Sequence, residues 1–459
     1  MATPGSLELD DMQGLLARGF GNLPFASYLP LEVTDSRLAR RTLAGWAASV
    51  ASAAVRPESE ALNIAFTAPG VAALVPAVHG ATRFSEQFSS GMATDYRSRL
   101  LGDVEQDHPR HWAWGGPTTP PVHVLLLVYA STSEGLEAWC DELYAAMAPG
   151  GLRLVIRLET SALTPDEPFG FHDGISQPPI EGMGPRSGAV RPGEFVLGYP
   201  NEYGLLTERP LLDADDDPGG LLPLDVEGAG RRDLGRNGSY LVLRTLRQDV
   251  EAFHTFTDAV TRDAAGRSDA ARQALLAAKM VGRWPSGAPL VLAPGQDDPS
   301  LGDSNDFGYH DADPRGLACP LGSHVRRTNP RDSLEPRPGT EASLVINRRH
   351  RLLRRGRVYG SPGAGEQGVH FACLNANLAR QYEFVQHTWV NNPVFNGLAD
   401  ETDPLVGTRH AKSTYFTSPA RPVRRRYAEL PQFVHVRGGA YFFLPGLRAL
   451  RFLTGPIHD

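Results

Sequence analysis

Cysteine and lysine are nearly missing from this chain, and several classes of protein are excluded with them. Its 459 residues hold three cysteines, Cys140, Cys319 and Cys373. Odd in number and far apart, they form neither a disulfide framework nor a Cys-x-x-Cys metal site. Lys279 and Lys412 are the only lysines, and every other cationic side chain is arginine. A basic face is absent too, since the formal charge of −7 argues against broad nucleic-acid binding. The longest apolar run, Val122 to Ala130 with His123 inside it, falls far short of the ~20 residues that span a bilayer. The start, Met1-Ala2-Thr3-Pro4-Gly5-Ser6, shows no basic region followed by an apolar core, and no apolar stretch follows Arg40-Arg41. These absences predict a cytoplasmic protein with neither a membrane nor a nucleic acid as partner.

What is present is enough for two or three domains, each with its own buried core. Leu38 to Ala54 carries apolar residues at near-helical spacing, Val122 to Tyr129 reads as a buried strand, Leu136 to Met147 as an amphipathic helix, and Leu152 to Leu158 as a strand. This rhythm predicts α+β layers. Between Arg209 and Arg232 the chain turns acidic and Gly/Pro-rich without periodicity, which predicts a surface connection between domains over 1–215 and 216–459. Beyond it, Gly238 to Arg244 reads as a strand, Asp249 to Thr261 as a helix, and Val369 to Leu374 and Tyr441 to Leu444 as strands. Gly363 to Gly368 spells the dinucleotide fingerprint, but a strand pattern follows where that motif needs a helix, so it reads as a hairpin.

Chemistry concentrates in three segments. In Gly170-Phe171-His172-Asp173-Gly174 one carboxylate stands between residues without side chains, a sequence able to present it on a tight turn. By turn preference alone, an Asp before Gly is usually just a turn. Cys319 to Arg331 contains a single histidine, His324, and His350 to Gly360 is crowded with arginines, among them Arg354 and Arg355. Alone, an arginine cluster is a solvated basic turn. Taken in order with Asp11 to Gly14, Pro192 to Tyr199, Leu234 to Tyr240, Ala278 to Trp284 and Val436 to Pro445, these segments resemble the dye-decolorizing peroxidases, a family of haem enzymes. The resemblance spans essentially the whole chain and is nearer to the longer cytoplasmic and fungal-like branches.

That resemblance implies two ferredoxin-like α+β domains, each an antiparallel sheet with peripheral helices, enclosing one haem b. It implies His324 as the proximal iron ligand and Asp173 as the distal acid and base. Arg354 is implied as the stabiliser of developing charge, with Arg355 as the alternative. An Asp would accept the ligand's free N–H, Asp403 fitting better than its rival Asp400. Arg331 is implied as a propionate partner, and Ser176, Val369 and Phe371 as further haem-facing residues. The implied reaction reduces hydrogen peroxide and oxidises dyes or other phenolic and aromatic donors in one-electron steps. An unperturbed aspartate ionises near ~3.9, which predicts an acidic optimum. Large donors would need a surface Trp or Tyr as electron relay, with Trp284, Trp389 and several tyrosines on offer and none singled out.

The chain departs from the family at two places. Gly356 stands where some members carry an Asn, and Val369-His370-Phe371 where fungal members have two leucines before the Phe. Strand alternation turns His370 away from the haem side. A second reading, a haem binder for storage or transfer, needs His324 without Asp173 and Arg354 together. The physiological donor, a manganese-oxidising site, encapsulation and assembly into a homo-oligomer stay open.

Overall fold

A computed structural model describes residues 6–75, 84–184, 188–228, 230–361, 363, 365–409 and 414–455. Its centre is a ten-stranded sheet. The strands are β1 (Phe25–Val33), β2 (Glu60–Phe66), β3 (Val124–Ala130), β4 (Leu152–Leu154), β5 (Leu158–Glu159), β6 (Ser239–Gln248), β7 (Leu353–Arg354), β8 (Arg357–Tyr359), β9 (Gly368–Asn375) and β10 (Val434–Leu444). The principal helices are α1 (Ser36–Ala47), α2 (Ser133–Met147), α3 (Val250–Thr261), α4 (Ala270–Val281), α5 (His324–Thr328) and α6 (Leu447–Thr454).

The sheet runs β8-β9-β6-β10-β2-β3-β1-β4, all antiparallel, with β5 also on β1 and β7 also on β9. Chain order and sheet order together give two ferredoxin-like domains. In the first, β1-α1-β2-β3-α2-β4 folds into the spatial order β4-β1-β3-β2. In the second, β6 is followed by α3 and α4, then β7 and β8, β9, the π-helical segments Ala379–Glu383 and Val385–Val390, and β10. Its order β8-β9-β6-β10 repeats the same plan. The two sheets meet where Phe443 of β10 pairs with Phe66 of β2.

Burial on both faces explains the apolar run at 124–130. Val124, Leu126 and Val128 pack toward α1, α2 and α6, with Leu43, Leu143 and Leu450. Leu125, Leu127 and Tyr129 pack on the other face with Tyr28, Leu243 and Leu374. Side chains that alternate between two buried faces leave no polar positions. Capping residues set the helix starts: Asp35 accepts from Leu38 N–H, Thr132 from Gly135 N–H and Asp249 from Ala252 N–H. No helix among the described residues is long and apolar enough to cross a membrane.

Three readings of the sequence are corrected. The helix expected to reach Ala54 ends at Ala47. The strand expected over Leu152 to Leu158 is split into β4 and β5, because Pro30 of β1 has no N–H to donate and one extra residue bulges opposite it. The acidic connection is no simple surface loop. Arg209, Asp225 and Asp233 are buried as ion pairs, Arg209 Nε lying 2.7 Å from Asp233 Oδ2, and Leu211–Leu212 pairs with Arg232–Asp233. Its acids wrap an arginine; they do not all face water.

Candidate active site

A cavity enclosing about 1970 Å³, its open mouth included, lies between the sheet of the second domain and the helices covering it. Leu246, Val369, Phe371 and Val434 line it from the strands; Val281 and His324 line it from the helices. Asp173, Ser176, Arg331 and Arg354 open onto the same space. Segments more than 150 residues apart in sequence therefore share one site (Arg354 and Asp173 are separated by 181).

His324 opens α5 directly after Ser323. Its Nδ1 lies 2.9 Å from Asp403 Oδ2, and Asp403 has no exposed side-chain surface. The other Asp403 oxygen accepts from Leu405 N–H at 2.9 Å and Val406 N–H at 3.0 Å. Asp400, the rival carboxylate, is exposed and makes no contact with His324. Burial alone would push the His324 pKa down, but the Asp403 charge outweighs it and the pKa is raised. For Asp403 the balance is mirrored: burial pushes up, and His324 and the two backbone N–H groups bring it below its ordinary value. With Nδ1–H committed to Asp403, Nε2 presents its lone pair, and among the described residues nothing hydrogen-bonds it. The side chain keeps 28% of its surface open.

On the sheet side, Arg354 in β7 reaches Asp173 with Nη2 at 3.3 Å from Oδ1, and donates to Ile175 O at 3.0 Å. Its backbone N–H donates to Gln177 Oε1 at 2.9 Å, tying strand to loop. Arg355 faces the opposite way, donating to Leu15 O and Leu16 O. Asp173 sits in a loop closed by Asp173 N–H to Pro165 O and His172 N–H to Pro285 O. Both glycines around it are left-handed, Gly170 at φ +91° and Gly174 at φ +83°, so their lack of a side chain is what lets the loop turn. Gly356 has no room for a side chain, since a Cβ there would stand 2.7 Å from His370 O.

Ser176 Oγ accepts from Asn329 Nδ2 at 3.2 Å, and Ser176 O accepts from Arg351 Nη2 at 2.6 Å. Arg331 lies over the Phe307 ring at 3.8 Å and donates to Asn305 O and Phe307 O. His370 points out of the cavity, with Nδ1 near Thr245 Oγ1 and Nε2 near Glu159 O. Trp284 and Trp389, offered as surface relays, are each 5% exposed, so neither reaches the surface. Motif reading missed Arg283, Arg351 and Glu167, which also line the cavity. Arg351 stood in the arginine segment, but which of its cations turn inward depends on strand register.

Arg283, Arg331 and Arg351 have no carboxylate partner among the described residues. Burial, then Arg331 and other cations, pushes Arg351 down to about 9 and Arg283 to about 10. Clustered, desolvated cations of this kind call for an anion. An apolar slot with one imidazole lone pair and arginines lacking counter-charges fits haem, whose flat ring is apolar and whose propionates are anionic.

A family model described as Dyp-type peroxidase, C-terminal, matches residues 228–423. A dye-decolorizing peroxidase of Exidia glandulosa is 30% identical over 480 aligned residues, covering 97% of this chain and 87% of the relative. The chain belongs to the dye-decolorizing peroxidases. As one of them it is an oxidoreductase that uses peroxide, and the family is haem-dependent. The crystal structure of a fungal DyP-type peroxidase from Auricularia auricula-judae superposes with a TM-score of 0.78 at 26% identity, covering 99% of this chain and all (100%) of that one. A dye-decolorizing peroxidase solved in complex with 2,6-dimethoxyphenol is likewise 26% identical with a TM-score of 0.75, covering 97% and 98% of the two chains.

Proposed function

We propose that this dye-decolorizing peroxidase binds one haem b between His324 and the Asp173–Arg354 pair, reduces hydrogen peroxide there, and oxidises phenolic, dye or other aromatic donors in one-electron steps. The observation that carries the reading is a carboxylate and a guanidinium 3.3 Å apart sharing a cavity with an aspartate-held imidazole. A storage or transfer protein needs the imidazole alone.

His324 Nε2 would hold the iron, and Arg331 and Arg351 the propionates. Haem so bound supplies the iron at which the O–O bond is broken and the oxidising power drawn on by donors. Asp173 would take a proton from one peroxide oxygen and return it to the other, which leaves as water. Hydrogen peroxide, two electrons and two further protons thereby become two waters, each donor molecule giving one electron. Arg354 faces the charge that builds as the oxygens separate. Ile175 O and Asp173 fix the direction of its guanidinium. Val369 and Phe371 line the sheet side with apolar surface. The phenol held by the 2,6-dimethoxyphenol relative supports donors of that class.

The test is a visible spectrum of the haem-loaded protein, before and after one equivalent of peroxide, on wild type, Asp173→Asn and Arg354→Leu. Both variants keep haem, and the peroxide-driven change slows by ~10²–10⁴-fold for Asp173→Asn and ~10²–10³-fold for Arg354→Leu. Unchanged rates in both would overturn the assignment.

A further inference from the structure

Glu167 is a half-buried cavity-wall carboxylate that the mechanism above leaves unused. Its two oxygens are taken by the backbone of the loop that carries Asp173: Oε2 accepts from Phe169 N–H and Oε1 from Phe171 N–H, both at 3.1 Å. The same turn is closed by Glu167 N–H to Phe171 O at 2.9 Å and Gly170 N–H to Glu167 O at 2.8 Å. The loop is thus folded around its own carboxylate, which holds it down to Phe171, two residues short of Asp173. From the sheet, Gln248 at the end of β6 brings Nε2 to 2.6 Å from Glu167 Oε2. The other end of that amide, Oε1, is buried and has no hydrogen-bond partner.

An orphaned amide oxygen next to an acceptor-only carboxylate is costly. A half-turn of the Gln248 amide exchanges the unpaired Oε1 for an unpaired Nε2, so either orientation pairs one end with Glu167, the turned one provided Glu167 carries a proton to donate. The 2.6 Å spacing suits an O–H···O bond as well as an N–H···O⁻ one. We propose that Glu167 is a positioning residue for Asp173 with two protonation states, a neutral acid donating to Gln248 Oε1 and a carboxylate accepting from Gln248 Nε2, the loop being held in both. The proposal rests on Asp173 being the proton carrier.

Burial, with the nearby Asp173 charge adding to it, pushes Glu167 up to about 7 against the pull of Gln248 and the two backbone N–H groups. Around it, the loop itself contributes Asp173 and the His172–Asp166 pair at 3.5 Å. At the end of β6 Arg247 is paired with Asp249, and from β7 Arg354 reaches Asp173. Below neutral pH Glu167 is therefore uncharged. Above it, a second negative charge stands in the cavity wall and opposes the negative charge that builds as the oxygens separate, so the reaction slows.

The experiment follows the peroxide reaction of the haem-loaded enzyme by stopped flow from mildly acidic to mildly alkaline pH, with infrared difference spectra of the same samples. Wild type is expected to slow by about threefold to tenfold through a single step near pH 7. A carboxylic-acid carbonyl band should vanish over the same range. Glu167→Gln keeps the shape without a titrating proton, its Oε1 accepting from Phe171 N–H and its Nε2 donating to Gln248 at the loss of the bond from Phe169 N–H, so it keeps most of the acidic-side rate and loses both the step and the band. Glu167→Leu removes the template and reacts more slowly, by about tenfold or more, at every pH. A step or a band that persists in Glu167→Gln overturns the proposal, as does a Glu167→Leu enzyme that matches wild type; if Glu167→Leu does not fold, Glu167→Gln still decides. Asp173→Asn is the control. If it is fast, the carrier assignment fails, whereas a slow Asp173→Asn with an unaltered step in Glu167→Gln removes Glu167 alone.

Discussion

Asp403 has no exposed side-chain surface and all its hydrogen bonds point inward, one to His324 and two from Leu405 and Val406 N–H. Such a residue does more than orient a ring. Its negative charge makes Nε2 a stronger donor toward a metal, and its geometry chooses which nitrogen keeps the proton. Asp403→Asn retains the shape but loses the charge, and its NH₂ must displace either the imidazole N–H or a backbone N–H. We expect haem affinity to fall by ~10–100-fold, measured by titrating the apoprotein with haemin. Affinity equal to wild type would mean that His324 needs no such partner. At this scale the chain alone left Arg354 against Arg355 and Asp403 against Asp400 open. Neighbours along the chain differ in the direction they point, and direction comes from strand register and loop closure.

The loop from Pro165 to Gln177 shows what an element adds. Its carboxylate is displayed because Gly170 and Gly174 adopt left-handed φ, with open space where a Cβ would go. A substitution at Gly174 is therefore penalised by backbone conformation and not by collision, at roughly 1–2 kcal/mol for an ordinary residue. Asn tolerates that region better than a β-branched residue does. Gly174→Val should lower the melting temperature by a few degrees and slow the peroxide reaction, and Gly174→Asn should do both to a smaller degree. Equal effects from the two would point to lost space instead. This turn was legible from its Asp between glycines. Glu167 was not, because a glutamate at the heart of a loop looks like any other charged residue until the chain closes on it. The same holds for Arg209 and its buried acids, whose neighbourhood read as solvated. Periodicity located most of the strands and helices. It could not see that Pro30 would interrupt the edge pairing, since the effect falls on the partner strand.

At the scale of the molecule, the two domains are joined by more than the β10–β2 contact. His370 of β9 sits at their boundary, its ring stacked on Tyr359 at 4.5 Å and edge-on to Tyr28 of β1 at 5.9 Å. Nε2–H donates to Glu159 O in β5 at 3.0 Å, while Nδ1 accepts from Thr245 Oγ1, which itself accepts from Trp114 Nε1–H. The bond that Nδ1 accepts from Thr245 requires a neutral imidazole. Burial holds His370 down at about 4, with the Glu159 carbonyl pulling slightly the other way. The unfolded chain takes up a proton at its ordinary value near 6.5 and the folded one does not. Stability is therefore full above that value and declines as the pH drops toward about 4, by roughly 3 kcal/mol in all. His350, stacked on Phe384 and held by burial at about 4, adds a loss of the same sign. Denaturant unfolding of wild type across this range should show the decline. His370→Gln, which cannot take the proton, should start less stable at neutral pH and fall less steeply. Identical slopes would place the acid sensitivity elsewhere. An enzyme whose chemistry favours acid would then be bounded on that side by the joint between its own domains.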